Sequence, residues 1–192
     1  MPGRGHSRGG VAMRPTETLM HEHEIILMVL DAAEREVRRI RETGEVRVER
    51  LEQMVDFFRN FADRCHHAKE ENLLFVRMEE RGMPREAGPI GVMLYEHDLG
   101  RGHVRAVAEA LPRAGSDPAA RESLRHNLAQ YIQLLRDHIY KEDHILYPMP
   151  DGLLLPEDQR ALEEAFERVE REEIGEGVHE KYHRLAHRLA GE

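Results

Sequence analysis

Histidine and glutamate recur along this chain with a spacing that suits metal coordination. Residues 66–75 read HHAKEENLLF and residues 138–147 read HIYKEDHILY, so both segments follow the pattern HxxKExx(L/I)L(F/Y). In each segment a histidine, His66 or His138, precedes a glutamate, Glu70 or Glu142, by four residues. Because residues i and i+4 share one face of a helix, each pair can offer an imidazole nitrogen and a carboxylate oxygen to one ion.

A further histidine precedes each of these segments. Residues 19–23 read LMHEH and residues 93–97 read MLYEH, and they end at His23 and His97. The separation from His23 to His66 is 43 residues, and that from His97 to His138 is 41 residues. The chain therefore contains two copies of one helical hairpin, and each copy carries a histidine followed by an HxxxE pair.

The apolar residues around each pair indicate which helix face is buried. At 100° per residue, the residues within about 40° of His66 include Val55, Ala62 and Leu73. The neighbouring His67 falls instead on a polar face with Asp56, Asn60 and Arg64, which leaves it at most an accessory ligand. In the second copy, the sector of about 80° that holds His138 also holds Leu124, Tyr131, Leu135, Glu142 and Ile145. The predicted inward pairs are therefore His66 with Glu70 and His138 with Glu142.

Six side chains are predicted to meet in the core: His23, His66, Glu70, His97, His138 and Glu142. Burial of unpaired imidazoles and carboxylates costs several kcal/mol, so such groups are found paired or bound to a metal. Two metal ions about 3.5–4 Å apart would bind all six, with two histidines on each ion and the glutamates bridging or capping. Mixed nitrogen and oxygen ligation favours iron, with manganese or zinc as substitutes. Two carboxylates leave a di-ferric pair with excess positive charge, which predicts an oxo- or hydroxo-bridged centre.

Proline and glycine mark the ends of the elements that position these side chains. Proline-free stretches predict helices over about residues 16–43, 45–81, 89–111 and 118–147, with Gly44 between the first two. Four long helices with short connections predict an all-α fold, an up-down four-helix bundle, with two additional C-terminal helices beginning near residues 156 and 178. The predicted organisation is a disordered tail over residues 1–15, the bundle over 16–148, and a C-terminal helical extension over 149–192 packed on the bundle.

The composition disfavours several classes of protein. Of the 192 residues, 34% are charged and 5% are aromatic, and tryptophan is absent, which disfavours an all-β fold. The formal net charge of −9 argues against nucleic-acid binding. The longest apolar run, residues 25–30, is far shorter than the ~20 residues that cross a bilayer, so no membrane partner is predicted. The single cysteine, Cys65, is predicted to be buried and favours a reducing, cytoplasmic compartment.

Several of these segments resemble the hemerythrin-like (HHE cation-binding) family. The likeness lies in the EH…HxxKExxLF pattern, in LMHEHEIILMVLDAAE at residues 19–34 and in GPIGVMLYEHDLGR at residues 88–101, and it covers about residues 16–148. The resemblance implies a four-helix bundle with a non-haem di-iron centre. Members carry or sense oxygen, handle nitric oxide or peroxide, or regulate and store iron. Carried over by position, the family's ligands fall on the six residues named above.

The chain departs from the oxygen-carrying members at two positions. Those carriers have a second histidine four residues after the ligand of the third helix, where this chain has Arg101. They also use an aspartate five residues after the histidine of the fourth helix, a spacing that Asp143 meets, although the repeated HxxKE pattern favours Glu142. Fewer protein ligands leave more open coordination positions. This difference weakens the interpretation as a reversible carrier and favours sensing, redox chemistry or iron handling.

The sequence therefore predicts a hemerythrin-like di-iron protein that binds or redox-processes a small ligand: oxygen, nitric oxide or peroxide. The alternative is an iron-sensing or iron-buffering module without turnover, so enzymatic activity stays open. Arg101 is predicted either to hold a bound anion or peroxide beside the metal, or to be a snorkelling arginine or a partner of a core carboxylate. Lys69 and Lys141 are predicted to extend to the surface, and the alternative is that they are cations standing behind the metal ligands. The histidine stripe at residues 179, 183 and 187 suits an exposed helix, a surface metal site or a lid.

Overall fold

The computed structural model describes residues 13–175 and 177–191, without the side chain of residue 173, and it is 88% helical. No β-strand occurs in this described part of the chain, so the predicted all-α class is confirmed. Most of the predicted N-terminal tail, residues 1–12, lies outside the described residues. None of the described helices has the length and apolar character required to span a membrane.

Four long helices correspond to the predicted bundle. Helix α1 is Pro15–Thr43, and α2 begins with Val48–Phe57. The second helix then continues through π-helical segments at Phe58–His67 and Glu70–Leu74, and it ends with an α-helical segment at Phe75–Glu80. Helix α3 is Pro89–Ala114, and α4 is Pro118–Lys141 with a π-helical continuation over Glu142–Leu146. The connections are short, as an up-down bundle requires.

The boundaries follow local capping chemistry with one difference. Gly44 adopts a left-handed conformation (φ 72°) and donates its N–H to Ile40 O, which ends α1 where the sequence predicted. The side chain of Asp117 accepts from Ala119 N at 2.9 Å and caps α4. Helix α3 was predicted to stop at Pro112, but it continues to Ala114. Proline near a helix end loses only one hydrogen bond, so the last turn survives.

The C-terminal extension completes the core rather than lying loosely on it. A short helical turn, Pro148–Leu153, leads to α5 at Pro156–Arg168, which continues as a π-helical segment over Val169–Gly175. The last helix, α6, is Val178–Gly191 and packs on α1 and α2. Its inward residues belong to the same apolar cluster as the bundle interior: Tyr182, Leu185, Ala186 and Leu189.

Two apolar clusters divide the interior along the bundle. The larger cluster takes residues 25–40 of α1, 51–62 of α2, 104–114 of α3 and 124–139 of α4. The smaller one lies at the opposite end and includes Leu19, Leu74, Met93 and Leu146. On the first three helices the predicted ligands fall between these two sets of residues. On α4, Glu142 falls between them and His138 is adjacent to Ile139, the last residue of the larger set. The polar site is therefore enclosed by apolar packing above and below.

An arginine on α1 ties down the end of the last helix. Arg35 Nη2 donates to Leu189 O at 3.0 Å and to Ala190 O at 2.9 Å. Replacing Arg35 with alanine is expected to lower the free energy of unfolding by about 1 kcal/mol, or ~2–4 °C in Tm, because Ala190 O loses its side-chain donor. Leu189 O loses one of two donors, since it also accepts from Arg50 Nη2 at 2.7 Å. The exposed Arg38 on the same helix provides the control, since Arg38→Ala is expected to leave Tm unchanged in a calorimetric scan. Equal changes in Tm for the two variants would contradict the role assigned to Arg35 at the end of α6.

Candidate metal centre

Seven buried side chains from the four long helices meet in the middle of the bundle, and none is more than 4% exposed. They come from α1 (His23), α2 (His66, His67 and Glu70), α3 (His97) and α4 (His138 and Glu142). The structure thus brings together all six residues that the sequence singled out. It adds His67, which the helical phase had placed on a polar face.

The nitrogen and oxygen atoms of these side chains form two adjacent groups. One group is His23, His66, Glu70 and Glu142, and the other is His67, Glu70, His97 and His138. Within each group the candidate ligand atoms lie within 4.8 Å of one another, and Glu70 belongs to both. Glu142 also reaches both, since its Oε2 is 3.2 Å from His23 Nε2 and its Oε1 is 3.1 Å from His138 Nε2. The arrangement suits two cations that share carboxylate ligands.

Several atoms at the centre lack a hydrogen-bond partner among the described residues. They are buried and comprise His23 Nε2, His66 Nε2, Glu70 Oε2, and both carboxylate oxygens of Glu142. Each unsatisfied buried polar atom costs about 1–3 kcal/mol, more where the group is charged. A cation at this place would satisfy all five atoms at once. The residues present therefore fit a metal site of mixed nitrogen and oxygen ligands.

A carboxylate lies behind each of four histidines and fixes the orientation of its ring. Within each hairpin, Glu22 accepts from His66 Nδ1 at 2.9 Å, and Glu96 stands at the same distance from His138 Nδ1. A proton on Nδ1 leaves Nε2 with a free lone pair directed at the centre. Glu22 and Glu96 occupy equivalent positions in the two repeats, so the duplication extends to these supporting groups.

The other two supporting carboxylates cross between the hairpins. Asp143 of α4 accepts from His23 Nδ1 at 2.7 Å, and Glu71 of α2 accepts from His97 Nδ1 at 2.7 Å. Asp143 therefore acts behind a histidine in this structure, which agrees with the choice of Glu142 as the inward carboxylate of α4. Each hairpin supplies one orienting carboxylate to the other.

The repeated lysines were predicted to extend into solvent, and for Lys69 this prediction is wrong. Lys69 is fully buried, and its Nζ lies 2.5 Å from Glu22 Oε1. Lys141 makes the equivalent contact to Glu96 in the second repeat. Each ammonium group balances the charge of a carboxylate that already holds a histidine. This role explains why both copies of the motif carry lysine.

The duplication supplies an internal control for this charge pairing. Lys69→Met is expected to lower the free energy of unfolding by about 2 kcal/mol, because the buried Glu22 carboxylate would lose its ammonium partner. Lys141→Met is expected to cost less than about 1 kcal/mol, because Lys141 is 32% exposed and Glu96 14% exposed. Urea unfolding of the metal-free proteins measures both losses. A larger loss of unfolding free energy for Lys141→Met than for Lys69→Met would contradict the pairing of Lys69 with the buried Glu22.

His67 is buried because α2 is not a regular α-helix at this point. The ring of His67 stacks on that of His97 with the ring centres 3.9 Å apart, and its Nδ1 faces Asp63. The π-helical segment Phe58–His67 forms i→i+5 hydrogen bonds, so it turns by less than 100° per residue. The smaller rotation per residue adds up along this segment and turns His67 toward the bundle interior, beside His66. A similar segment in α4 leaves Ile145, predicted to be inward, 51% exposed.

The two central carboxyl groups have opposite pKa shifts. Burial, together with the nearby charge of Glu142, raises the pKa of Glu70 well above its ordinary value. Burial opposes ionisation of Glu142 too, but the adjacent His138 and His23 hold the pKa of that carboxyl well below its usual range. The hydroxyl of Tyr147 donates to Glu70 Oε1, and its ring stacks on His23. Glu70 is therefore the carboxyl that most lacks a positive partner.

The histidines also differ in their affinity for protons. Burial and the neighbouring His23 lower the pKa of His66 to about 4, and burial lowers that of His97 as well. Burial acts in the same direction on His138, but Glu142 and Glu96 outweigh it and raise the pKa of His138 to about 9. Its Nε2 faces His97 Nε2 at 3.0 Å. A cation bound between these two nitrogens has to displace a proton.

Arg101 holds carboxylates that stand behind the centre. Its guanidinium donates to Asp63 at 2.9 Å and to Glu71 at 2.6 Å, and it also contacts Asp98. Glu71 orients His97, so Arg101 acts on that histidine through one intermediate residue. The geometry corresponds to the carboxylate-partner alternative that the sequence left open.

The C-terminal histidine stripe is only partly exposed. His179 Nε2 lies 3.4 Å from Glu22 Oε1, so α6 reaches the carboxylate behind His66, whereas His187 is exposed. Glu22, Glu170 and His179 together could hold a cation. However, Lys69 Nζ already contacts both Glu22 and Glu170, and its ammonium group supplies the positive charge there.

Fold and site together define a class of protein, a helical bundle with two adjacent His/Glu groups that could bind cations. A family model described as "Hemerythrin HHE cation binding domain" matches residues 14–150. The chain belongs to this family, which confirms the resemblance found in the sequence.

Curated relatives are similar over most or part of the chain. The uncharacterized proteins Rv1995 of Mycobacterium tuberculosis and Mb2018 of Mycobacterium bovis are each 26% identical over 167 residues, 86% of this chain and 65% of theirs. The chain thus spans slightly less than two thirds of the length of these relatives. The iron-sulfur cluster repair protein YtfE of Musicola paradisiaca is 36% identical over 88 residues, 43% of this chain and 39% of its own length.

Proposed function

We propose that this protein binds two iron ions in the centre of the bundle and uses them to bind or redox-process a small ligand such as oxygen, nitric oxide or peroxide. The proposed ligands are the six residues predicted from the sequence together with His67: His23, His66, His67, Glu70, His97, His138 and Glu142. The observation that carries this proposal is the set of five buried atoms without a hydrogen-bond partner among the described residues. Manganese and zinc are the competing metals.

When bound, a pair of iron ions would supply redox chemistry and Lewis acidity to a small ligand. The protein's own contribution is to hold the imidazoles in one orientation through the Nδ1 hydrogen bonds and to exclude water with the two apolar clusters. Glu70 and Glu142 each reach both groups and are the proposed bridging ligands. The group containing His23 and His66 has one imidazole fewer than the group containing His67, so more coordination positions stay open there.

Metal analysis of protein purified without chelators tests the proposal first. About two iron ions per chain are expected, and a chain without bound transition metal would overturn the assignment. Optical spectra recorded with oxygen, nitric oxide and peroxide then separate the functions. A stable adduct supports ligand binding, and formation of product supports turnover.

A second candidate, iron buffering or sensing without turnover, is favoured by the similarity to YtfE, whose name concerns iron-sulfur cluster repair. The complete burial of Glu70 and Glu142 also suits retention of iron more than rapid exchange of ligands. Iron-loaded protein that is inert to all three small ligands, yet transfers iron to a chelator at a measurable rate, would favour this candidate over the first.

A further inference from the structure

A pocket of about 230 Å³ opens beside the metal centre where α2, α3 and α4 meet. Its floor consists of buried side chains and a buried glycine: Phe58, His67, Gly100, Val104 and Tyr131. Its rim consists of the charged residues Arg59, Asp63, Arg101 and Arg105. The pocket thus has an apolar base, a charged mouth, and one wall made by a candidate metal ligand.

The space depends on a glycine in the middle of a helix. A Cβ atom at Gly100 would lie 3.4 Å from Tyr131 Cε2 and 3.9 Å from Leu134 Cδ2, so any larger side chain would extend into the pocket. Glycine within a helix costs about 1 kcal/mol relative to alanine. The pocket beside Gly100 is large enough for several water-sized groups, far more than a diatomic ligand needs.

The charges at the mouth favour an anion. Asp63 and Arg101 pair with each other, with Arg101 Nη2 2.8 Å from the carboxylate. Arg59 and Arg105 are exposed, and neither forms an ion pair with any residue that the structure describes. The mouth therefore carries two uncompensated guanidinium groups, which suit a planar carboxylate.

A polar group on the floor also lacks a partner. Tyr131 lines the pocket with its ring 4.8 Å from that of Phe58, and its hydroxyl forms no hydrogen bond to another described residue. Buried tyrosine hydroxyls usually find such a partner. This one is free to donate to a molecule in the pocket.

We propose that this pocket binds a small organic monoanion, an aromatic or short-chain carboxylate whose apolar body rests on Phe58 and Val104 and whose charge faces Arg59 and Arg105. The bound molecule contacts His67 and so acts on the metal centre through the group that contains His67, His97 and His138. It is distinct from the diatomic or peroxide ligand of the proposed function, and its binding does not require iron.

Benzoate and benzamide provide a matched pair of probes, because they share one shape and differ in charge. Isothermal titration calorimetry with the full-length purified protein is expected to give a dissociation constant for benzoate of about 1 mM or tighter. Benzamide is expected to bind at least tenfold more weakly. Raising the salt concentration is expected to weaken benzoate but not benzamide.

Variants locate the binding. The double variant Arg59→Glu/Arg105→Glu is expected to weaken the binding of benzoate at least tenfold. Arg113→Glu, which lies on α3 like Arg105 but outside the pocket, is expected to leave the binding of benzoate unchanged. Tyr131→Phe is expected to weaken it about threefold, and Gly100→Leu to abolish binding. The rim residues are exposed, so their variants keep the test valid if Gly100→Leu does not fold.

Three results would overturn the pocket assignment: no benzoate binding at millimolar concentration, equal binding of benzamide, or benzoate binding that is unchanged in the double variant. The pocket proposal and the proposed function can be disproved independently of each other. A chain that holds two iron ions but does not bind benzoate removes only the pocket proposal, and a chain that binds benzoate in the pocket without ever retaining iron removes only the metal proposal.

Discussion

Glu70→Gln is expected to reduce bound iron from about two ions per chain to fewer than one. Glu70 belongs to both candidate groups, so its loss removes a ligand from each position. The glutamine keeps the size of the side chain and can still accept from Tyr147, which now donates to Glu70. The effect should therefore come from ligand chemistry rather than from packing. Metal analysis after identical iron loading measures it.

The same substitution is expected to change stability in opposite directions with and without metal. A buried carboxyl with a raised pKa and no cationic partner destabilises the metal-free fold, so metal-free Glu70→Gln should melt at or above the metal-free parent. Binding to the folded protein alone stabilises by about 4 kcal/mol when free metal is a thousand times Kd. For a chain of this size that corresponds to ~8–16 °C in Tm, which the variant should lose.

A surface glutamate provides the control for both measurements. Glu80 is exposed at the end of α2, and Glu80→Gln is expected to keep two iron ions and the full metal-dependent rise in Tm. Retention of two iron ions by Glu70→Gln would contradict the shared-carboxylate arrangement.

His67→Ala is expected to lower iron to about one ion per chain. His67 belongs only to the group with His97 and His138, so that position should weaken while the position with His23 and His66 keeps its ligands. Loss of one ligand or of its supporting partner typically reduces metal affinity by 10–100-fold or more. Iron titration with analysis of stoichiometry measures the change, and the spectrum of the remaining ion should differ from that of the pair.

His144 is the matched control for this prediction. It is an exposed histidine on the π-helical end of α4, with its Nδ1 facing Tyr140 O. His144→Ala removes an imidazole without touching the centre, so iron should stay at two ions per chain. If His67→Ala also kept two ions with unchanged affinity, His67 would be a packed core residue and not a ligand.

The sequence alone predicted the fold and the meeting of six side chains. Two facts made this possible: proline and glycine mark the helix ends clearly, and the internal duplication repeats each histidine and glutamate at nearly the same separation. The inward helix faces could be identified because His66 and Glu70 lie on the same face as apolar residues of the first repeat. His138 and Glu142 do the same in the second repeat. The assignment of these residues as ligands is a prediction that metal analysis has yet to test.

The burial of His67 and of Lys69 could not be predicted, because the first depends on π-helical geometry and the second on contacts between residues far apart in the sequence. His67 was placed on a polar face because the phase assumed 100° per residue, whereas residues 58–67 are π-helical. The doubled histidine at 66–67 was the only signal in the sequence. The burial of Lys69 depends on contacts with Glu22 and Glu170, which lie 47 and 101 residues away. No local pattern reports such contacts.

The position of the centre between two apolar clusters restricts the order in which the protein can assemble. His23 donates to Asp143 of the other hairpin, and His97 donates to Glu71 of the other hairpin, so neither hairpin alone orients all of its own histidines. Docking of the hairpins through leucine, valine and phenylalanine side chains has to come before capture of an ion. If the proposed iron ions bind here, they would therefore bind late, to hairpins that have already docked, and the chain would reach its native topology before the metal contributes.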